Sequence, residues 1–242
     1  MNNLLTDAWL PFRLRDGSTS VLPLSAVVRD DVIDVDLPRE DFTSAAYQLL
    51  IAILQTIMAP QDDIEWGDRF HQPPTEAELS ERFLLIEHAF SMNEPAPLFM
   101  QDFDPLDHAK PITIAGLLID APGENTIKLN TDHFVKRGVG DVMSPAMAVL
   151  ALWTLQVNAP AGGAGHRVGL RGGGPLTVLV IPDSLEASFW QKLWLNVINR
   201  EVWVYEDPDF HSSKVFPWLS STRDSKNKGT EVYRHHVHPL QM

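Results

Sequence analysis

A glycine-rich stretch of 14 residues places the strongest constraint on what this chain can fold into. Residues 162–175 read GGAGHRVGLRGGGP and hold seven of the chain's 14 glycines. Glycine weakens helix and strand interiors and reaches positive φ without steric cost, so the stretch predicts a loop. Its bare backbone N–H groups, together with the cations of His166, Arg167 and Arg171, suit a phosphate chain or a nucleic-acid groove. A surface linker or a tight turn between packed elements is the alternative interpretation.

The glycine stretch does not match the common nucleotide-binding loops. A Walker loop requires Gly-Lys followed by Ser or Thr, and the sequence contains no such triplet. The dinucleotide pattern GxGxxG, started at Gly163 and Gly165, would need glycine at the position of Val168. Binding of a mononucleotide by this stretch therefore has little support.

Composition indicates a folded protein with a sizeable core. The chain has 242 residues, of which 44% are apolar, and no cysteine. The missing cysteines exclude disulfides, thiolate metal sites and a cysteine nucleophile. Because no apolar run reaches the roughly 18 residues of a membrane span and no signal peptide is evident, we expect a cytoplasmic protein without a membrane partner.

The distribution of charge along the chain indicates more about its binding partners than the net charge does. The net charge is −13, which argues against a free-standing nucleic-acid binder. Residues 1–120 contain 7 Lys and Arg against 21 Asp and Glu, whereas residues 128–171 contain five basic residues and two acidic ones. A basic patch on an acidic chain fits one subunit of a larger assembly in which other chains supply most of the positive field. A mosaic of solvated charges is the alternative.

Hydrophobic periodicity and capping residues predict a mixed α+β fold in a single large, irregular domain. The pattern predicts two strands at 8–15 and 19–24, a helix between Arg39 and Ala59, and a second helix from Thr75. A third helix is predicted from Ser144-Pro145 to Asn158, a buried strand at 177–181, and a fourth helix capped by Ser184. Residues 91–111 and 120–143 are predicted loops, and long loops of this kind are often functional.

A second basic segment precedes the third helix. Residues 130–138 read NTDHFVKRG and place Phe134 among His133, Lys136 and Arg137. An aromatic ring among cations can stack on a base while the cations hold phosphates. An exposed loop whose phenylalanine packs into the protein is the alternative.

Two clusters of metal-ligand residue types are weaker candidates. His235, His236 and His238 lie too close along the chain to converge readily on one ion, so we predict no metal site there. Asp62, Asp63 and Glu65 could hold Mg²⁺, but a solvated acidic loop is the preferred interpretation. We predict no metal, no cofactor and no enzymatic activity, and we find no nucleophile elbow.

These segments, taken in order, resemble one known family, the large subunit CasA of the type I-E CRISPR surveillance complex Cascade. The likeness includes LLTDAWLPFR near the start, IMAPQDDIEWGDRF and EPAPLFMQDF. It continues through NTDHFVKRG, TLQVNAPAGGAGHRVGLRGGGPLT and the closing VHPLQM. Family members are longer, so the resemblance implies that residues 1–242 correspond to the N-terminal domain of such a subunit, without its C-terminal helical bundle.

The resemblance implies a non-enzymatic recognition subunit. Its implied partners are the PAM of double-stranded target DNA, the 5′-handle end of the guide RNA, the other Cascade subunits, and a helicase-nuclease that the subunit helps to recruit. Its implied DNA-binding residues belong to the glycine stretch: Gly163, Ala164, Gly165, His166, Arg167 and Arg171. Its implied RNA-handle and subunit contacts belong to the second basic segment: Asn130, His133, Phe134, Val135, Lys136 and Arg137. Many relatives carry two cysteines just after this segment, where this chain has Ser144 and Met147.

Two other functions stay open at this stage. The chain could be a protein–protein scaffold whose glycine stretch only packs against neighbouring subunits. It could also be a phosphate-handling enzyme that uses Asp62, Asp63 or the histidines.

Overall fold

The computed structural model describes residues 1–132, 138–158, 178–202 and 207–221. The chain divides into two compact units. The first unit comprises residues 1–105 and 177–242, and the second comprises residues 106–176.

A small antiparallel sheet opens the first unit. Strands β1, Leu10–Leu14, and β2, Thr19–Leu22, form the predicted hairpin. Its turn contains Gly17 at φ 86°, a left-handed conformation that glycine adopts without strain. A third strand, β3, Val32–Val35, pairs with the other edge of β1 and gives the order β2-β1-β3. The sequence pattern did not predict β3, because four residues are too few to establish alternation.

Helix α1, Glu40–Met58, follows the sheet with the bounds that the sequence predicts. It begins after Arg39 and stops before Ala59-Pro60, since proline cannot continue a helix. The apolar residues that recur at helical spacing along α1 are all buried; they are Ala46, Leu49, Leu50, Ile53 and Ile57.

Two shorter helices, α2 and α3, come next. Helix α3, Glu76–Phe83, begins from its cap Thr75 as predicted and has a capping box, in which the side chains of Thr75 and Glu78 bond each other's backbone N–H groups. Helix α2, Asp63–His71, lies where we expected only an acidic loop. Its acidic first turn is better explained as the start of a helix, where carboxylates are favoured by the helix dipole.

The last α-helix described in the first unit is α6, Phe189–Trp194. Its cap is Ser188, which forms a capping box with Gln191, so the prediction that Ser184 caps this helix is wrong. Ser184 instead closes a turn by accepting the N–H of Glu186 on its hydroxyl.

The tryptophans of α6 are core residues. The rings of Trp190 and Trp194 stack at 4.9 Å and are almost fully buried. Their indole N–H groups donate to the carbonyls of Arg69 and Trp66, at 2.8 and 3.0 Å. These bonds fix α6 on α2.

The strand expected at residues 177–181 is not present in the described part of that range. Val178 and Ile181 are 94% and 72% exposed, and residues 178–181 join no sheet with any described residue. Val180 is held by the side chain of Asn196, which bonds both its N–H and its carbonyl. An apolar run alone therefore did not specify a buried strand here.

The described residues of the second unit form helices and loops. It contains a 3-10 turn at Ile114–Leu117, helix α4, Glu124–Lys128, and helix α5, Pro145–Asn158. Helix α4 lies inside the connection that the sequence analysis treated as a loop. With one small sheet and six helices described, the α+β prediction is confirmed. Within the described residues, none of these helices is long and apolar enough to cross a membrane.

Candidate nucleic-acid interface

The two predicted basic segments fall largely outside the described residues. All six predicted DNA-binding residues do so: Gly163, Ala164, Gly165, His166, Arg167 and Arg171. Five of the six predicted RNA-handle residues also lie outside them: His133, Phe134, Val135, Lys136 and Arg137. These assignments stay predictions, and the structure describes the elements that precede, join and follow the segments.

Asn130 is the one predicted site residue that the structure describes. It follows α4 with φ 54°, a left-handed conformation that asparagine tolerates better than most residues. Its N–H donates to the carbonyl of Ile127 at 3.1 Å, and the N–H of Thr131 donates to that of Thr126 at 3.0 Å. This pair of bonds is the Schellman motif that closes helices. Asn130 therefore has a backbone role at the start of the second basic segment.

The chain after this segment is shaped by two left-handed glycines. Gly138 and Gly140 have φ of 85° and 83°. A Cβ atom added at Gly140 would lie 2.8 Å from Cδ1 of Leu118 and 3.0 Å from Cε of Met143. The positive φ therefore favours glycine at 140, whereas the two side-chain ends could move aside for a Cβ atom.

Helix α5 joins the second basic segment to the glycine stretch. Its 14 residues span about 21 Å at 1.5 Å per residue. Ser144 caps it as predicted, since its hydroxyl accepts the N–H of Met147 at 3.3 Å and its carbonyl accepts that of Ala148 at 2.9 Å. The two basic segments therefore connect to opposite ends of one helix.

The apolar spacing of helix α5 predicts a buried face of Met147, Leu150, Ala151, Thr154 and Leu155. Leu150, Ala151 and Thr154 are buried, but Met147 and Leu155 are only half-buried, and Val149 and Trp153 are buried instead. A helix that is apolar nearly all round belongs in a protein interior. The connection between the two segments is thus a core element rather than a surface helix.

The acidic cluster has structural roles that explain it without a metal. The carboxylate of Asp62 caps α2 by accepting the N–H of Glu65 at 2.9 Å. Asp63 accepts from the amide of Asn199 at 2.6 Å. The N–H of Gln61 foremost, and then the guanidinium of Arg69, lower the pKa of Glu65 below its usual value.

No other grouping in the part of the chain that the structure describes has metal-site character. Across those residues, no three His, Asp or Glu side chains converge as ion ligands. The three C-terminal histidines lie outside that part.

The structure brings together three arginines that the sequence analysis did not single out. Arg69, Arg82 and Arg200 line one small cavity in the first unit. They are 13 and 118 residues apart in sequence, so no local spacing could have indicated the cluster. Only the packing of residue 200 against α1 and α2 assembles it.

Residues 3–242 match the family of CRISPR-associated protein Cse1. The match takes in α5, both basic segments and the first unit. The chain belongs to the Cse1 family.

Solved structures of Cse1 and CasA share the fold. Cse1 from Acidimicrobium ferrooxidans matches with a TM-score of 0.60 and 21% identity, over 84% of this chain and 39% of its own. A CasA structure from Thermus thermophilus matches with a TM-score of 0.59 and 20% identity, over 87% and 41%. A chain of a CRISPR RNA-guided surveillance complex matches with a TM-score of 0.57 and 20% identity, over 81% and 43%. This chain thus spans about two fifths of the length of these matched chains.

Proposed function

We propose that this chain is a non-enzymatic nucleic-acid-recognition subunit of a type I-E CRISPR surveillance complex. It contacts the PAM of target DNA and the 5′-handle end of the guide RNA, and it supports recruitment of the helicase-nuclease. Residues 1–242 act as the N-terminal domain of the large subunit. The observation that carries the proposal is the Cse1 match over residues 3–242, which includes both basic segments.

The chemistry of the glycine stretch supports the DNA contact. Missing side chains at Gly163 and Gly165 let backbone N–H groups approach base edges, and Arg167 and Arg171 provide charge for phosphates. Approach through the minor groove gives a degenerate readout, which suits tolerance of several PAM sequences. Guide pairing reads the rest of the target, so the protein needs to read only a short element.

The second basic segment supports the RNA contact. Phe134 supplies a ring for stacking, and Lys136 and Arg137 supply charge. Core packing of α5 keeps the two ends of this helix, which the chain connects to the two segments, about 21 Å apart. One rigid element would then relate the RNA-handle end to the PAM.

The deciding experiment uses the assembled complex. Gly163→Leu and Gly165→Leu are expected to weaken binding of a PAM-bearing duplex, because a leucine side chain holds the backbone away from the groove. Gly67→Leu is the matched control, since a Cβ atom at Gly67 would meet no atom within 4 Å. Unchanged duplex binding by both test variants would overturn the proposed DNA contact.

A scaffold role without DNA contact is the competing function, and the same variants separate the two. Loss of duplex binding with normal assembly, measured by native mass spectrometry, supports recognition. Loss of assembly itself supports the scaffold. A nuclease assay with Mg²⁺ or Mn²⁺ tests the non-enzymatic assignment, and turnover abolished by Asp62→Ala would contradict it.

A further inference from the structure

The cluster of Arg69, Arg82 and Arg200, named here the arginine cleft, is a concave site with no role in the proposed recognition of the PAM or the guide RNA. Its small cavity has a volume of about 160 Å³. The lining comprises the three arginines, the end of α1 and two polar residues: Ile57, Met58, Ala59, Gln61 and Glu65. All of these residues belong to the first unit.

Arg200 is fixed in position by its backbone and its side chain. Its N–H donates to the carbonyl of Pro60 at 2.9 Å, and its Nε donates to that of Ala59 at 3.3 Å. Ile198, two residues before Arg200, is tied to α1. The side-chain amide of Gln55 accepts the N–H of Ile198 at 2.7 Å and donates to its carbonyl at 2.9 Å. The Arg200 guanidinium also forms an ion pair with Asp207 at 2.7 Å, and the Asp207 side chain is 72% exposed.

Arg69 is fixed in a similar way. Its Nε and Nη2 donate to Oε1 of Glu65 at 3.1 and 2.9 Å. The second oxygen of Glu65 accepts the N–H of Gln61 at 2.7 Å. Two of the three guanidinium groups are therefore preorganised, which lowers the entropic cost of binding an anion.

Arg82 differs from both. It lies on α3 with an exposed side chain, and its guanidinium has no hydrogen bond or ion pair to any of the residues described in the structure. An exposed arginine is ordinary by itself. Here the unpaired guanidinium lines a concave surface beside two fixed ones, which leaves its donors available to a ligand.

Size and charge select the ligand class. Three guanidinium groups line the small cavity, while Glu65 pairs with Arg69 and Asp207 pairs with Arg200, so one positive charge is left over and the cavity favours an anion. A volume of about 160 Å³ leaves room for the five heavy atoms of a phosphate group. The planar fork of arginine matches phosphate geometry.

A larger cleft of about 650 Å³ shares Arg69 and Arg82 with the small cavity. Its other lining residues are Gln72, Pro73, Pro74, Glu78, Glu81 and Leu85. This volume lies in the range of small-molecule sites. Glu78 and Glu81 repel a continuous polyanion, whereas they can accept hydrogen bonds from hydroxyl or amino groups.

We propose that the arginine cleft binds a phosphomonoester of the nucleotide type. The phosphate occupies the small cavity, and the attached nucleoside lies in the larger cleft against the prolines and Leu85. This site is additional to the proposed recognition of DNA and RNA and does not depend on it.

The test is calorimetric titration of the full chain with inorganic phosphate, adenosine 5′-monophosphate and adenosine. The monophosphate is expected to bind more tightly than phosphate, and adenosine more weakly than either. Arg82→Gln is expected to weaken phosphate and monophosphate binding at least about tenfold, because charge-assisted hydrogen bonds are lost. The variant should fold normally, since the Arg82 side chain has no hydrogen bond or ion pair to the described residues and the substitution leaves its backbone bonds in place.

Arg13→Gln is the matched control, an exposed arginine paired with Asp36 on the sheet. The proposal is overturned if phosphate does not bind, if the monophosphate binds no more tightly than phosphate, or if Arg82→Gln and Arg13→Gln have equal effects.

A 5′-phosphorylated single strand identifies the source of the ligand. Tighter binding than the monophosphate, lost in Arg82→Gln, assigns the phosphate to a strand end, and weaker binding assigns it to a free nucleotide. Gly163→Leu should leave all of these affinities unchanged, so failure here is distinguishable from failure of the proposed function.

Discussion

At the scale of single residues, substitutions at Asn130 distinguish a role of its left-handed backbone in the turn from a role of its side chain in binding. Alanine in this conformation costs about 1 kcal/mol more than glycine, which adopts it freely. Asn130→Ala is therefore expected to lower the free energy of unfolding, measured in urea, by about 1 kcal/mol relative to Asn130→Gly. Equal stability of the two variants would contradict the Schellman assignment.

The glycine variant also tests the predicted RNA contact. It preserves the turn and removes the side chain. Weaker binding of guide RNA by a complex that contains Asn130→Gly, with unchanged stability, would support the predicted role of Asn130. Unchanged binding would restrict Asn130 to the backbone.

Thr154 has a buried hydroxyl group whose hydrogen-bonding capacity is not satisfied by any described residue. The residue is 1% exposed, and its Oγ1 has no hydrogen-bond partner in the described portions of the chain. Burial of an unsatisfied hydroxyl costs about 1 kcal/mol or more. Thr154→Val, which removes the hydroxyl at nearly constant volume, is therefore expected to raise the free energy of unfolding by about 1 kcal/mol.

Thr56 provides the matched control for this exchange. It is also buried on a helix, but its hydroxyl donates to the carbonyl of Ala52 at 2.7 Å. Thr56→Val should give no gain in stability. A gain of equal size in both variants would show that the added methyl group, and not the unsatisfied hydroxyl, is responsible.

At the scale of elements, α2 shows how an acidic cluster can be a helix start. Asp62→Ala removes the side-chain acceptor for the N–H of Glu65 and is expected to cost about 1 kcal/mol of stability. Asp62→Asn retains an acceptor and should stay near the wild type, because asparagine and aspartate cap almost equally well. The comparison is made by thermal and urea unfolding.

Divalent metal separates the two interpretations of this cluster. If Asp62 acts only as a helix cap, Mg²⁺ is expected to change the free energy of unfolding of the wild type and of Asp62→Asn equally. Specific stabilisation of the wild type by Mg²⁺ would restore the metal hypothesis.

At the scale of the whole molecule, one histidine contact predicts how stability depends on pH. His88 stacks on His211, with ring centroids 4.5 Å apart and 30° between the ring planes. Desolvation foremost, and then the charge of His211, lower the pKa of His88 below its ordinary value of 6.5. The neutral form is favoured in the folded state, so its contribution is present above pH 6.5 and is lost as pH falls through the folded pKa.

The free energy of unfolding is thus expected to fall as pH drops below 6.5, and His88→Gln should flatten this part of the profile. The carboxylates with lowered pKa, such as Asp16 and Asp36, contribute at lower pH, because their ordinary value is 3.8. His108→Gln, at an exposed histidine, controls for the exchange itself. An unchanged slope in His88→Gln would refute the assignment.

The amino-acid sequence alone determined the features that depend on near neighbours. Turn residues set the β1–β2 hairpin, a capping box set α3, and apolar spacing set the buried face of α1, since each is decided within a few residues. The order of its long segments also indicated the CasA relationship, in agreement with the Cse1 match.

Only the tertiary structure decided the features that depend on distant partners. Strand β3 exists because β1 offers it an edge, and Val178, Val180 and Ile181 stay exposed because no described strand pairs with them. The arginine cleft exists because Gln55 holds Ile198, 143 residues away. Contacts at such separations leave no local pattern, because the chain between them sets their geometry only through packing.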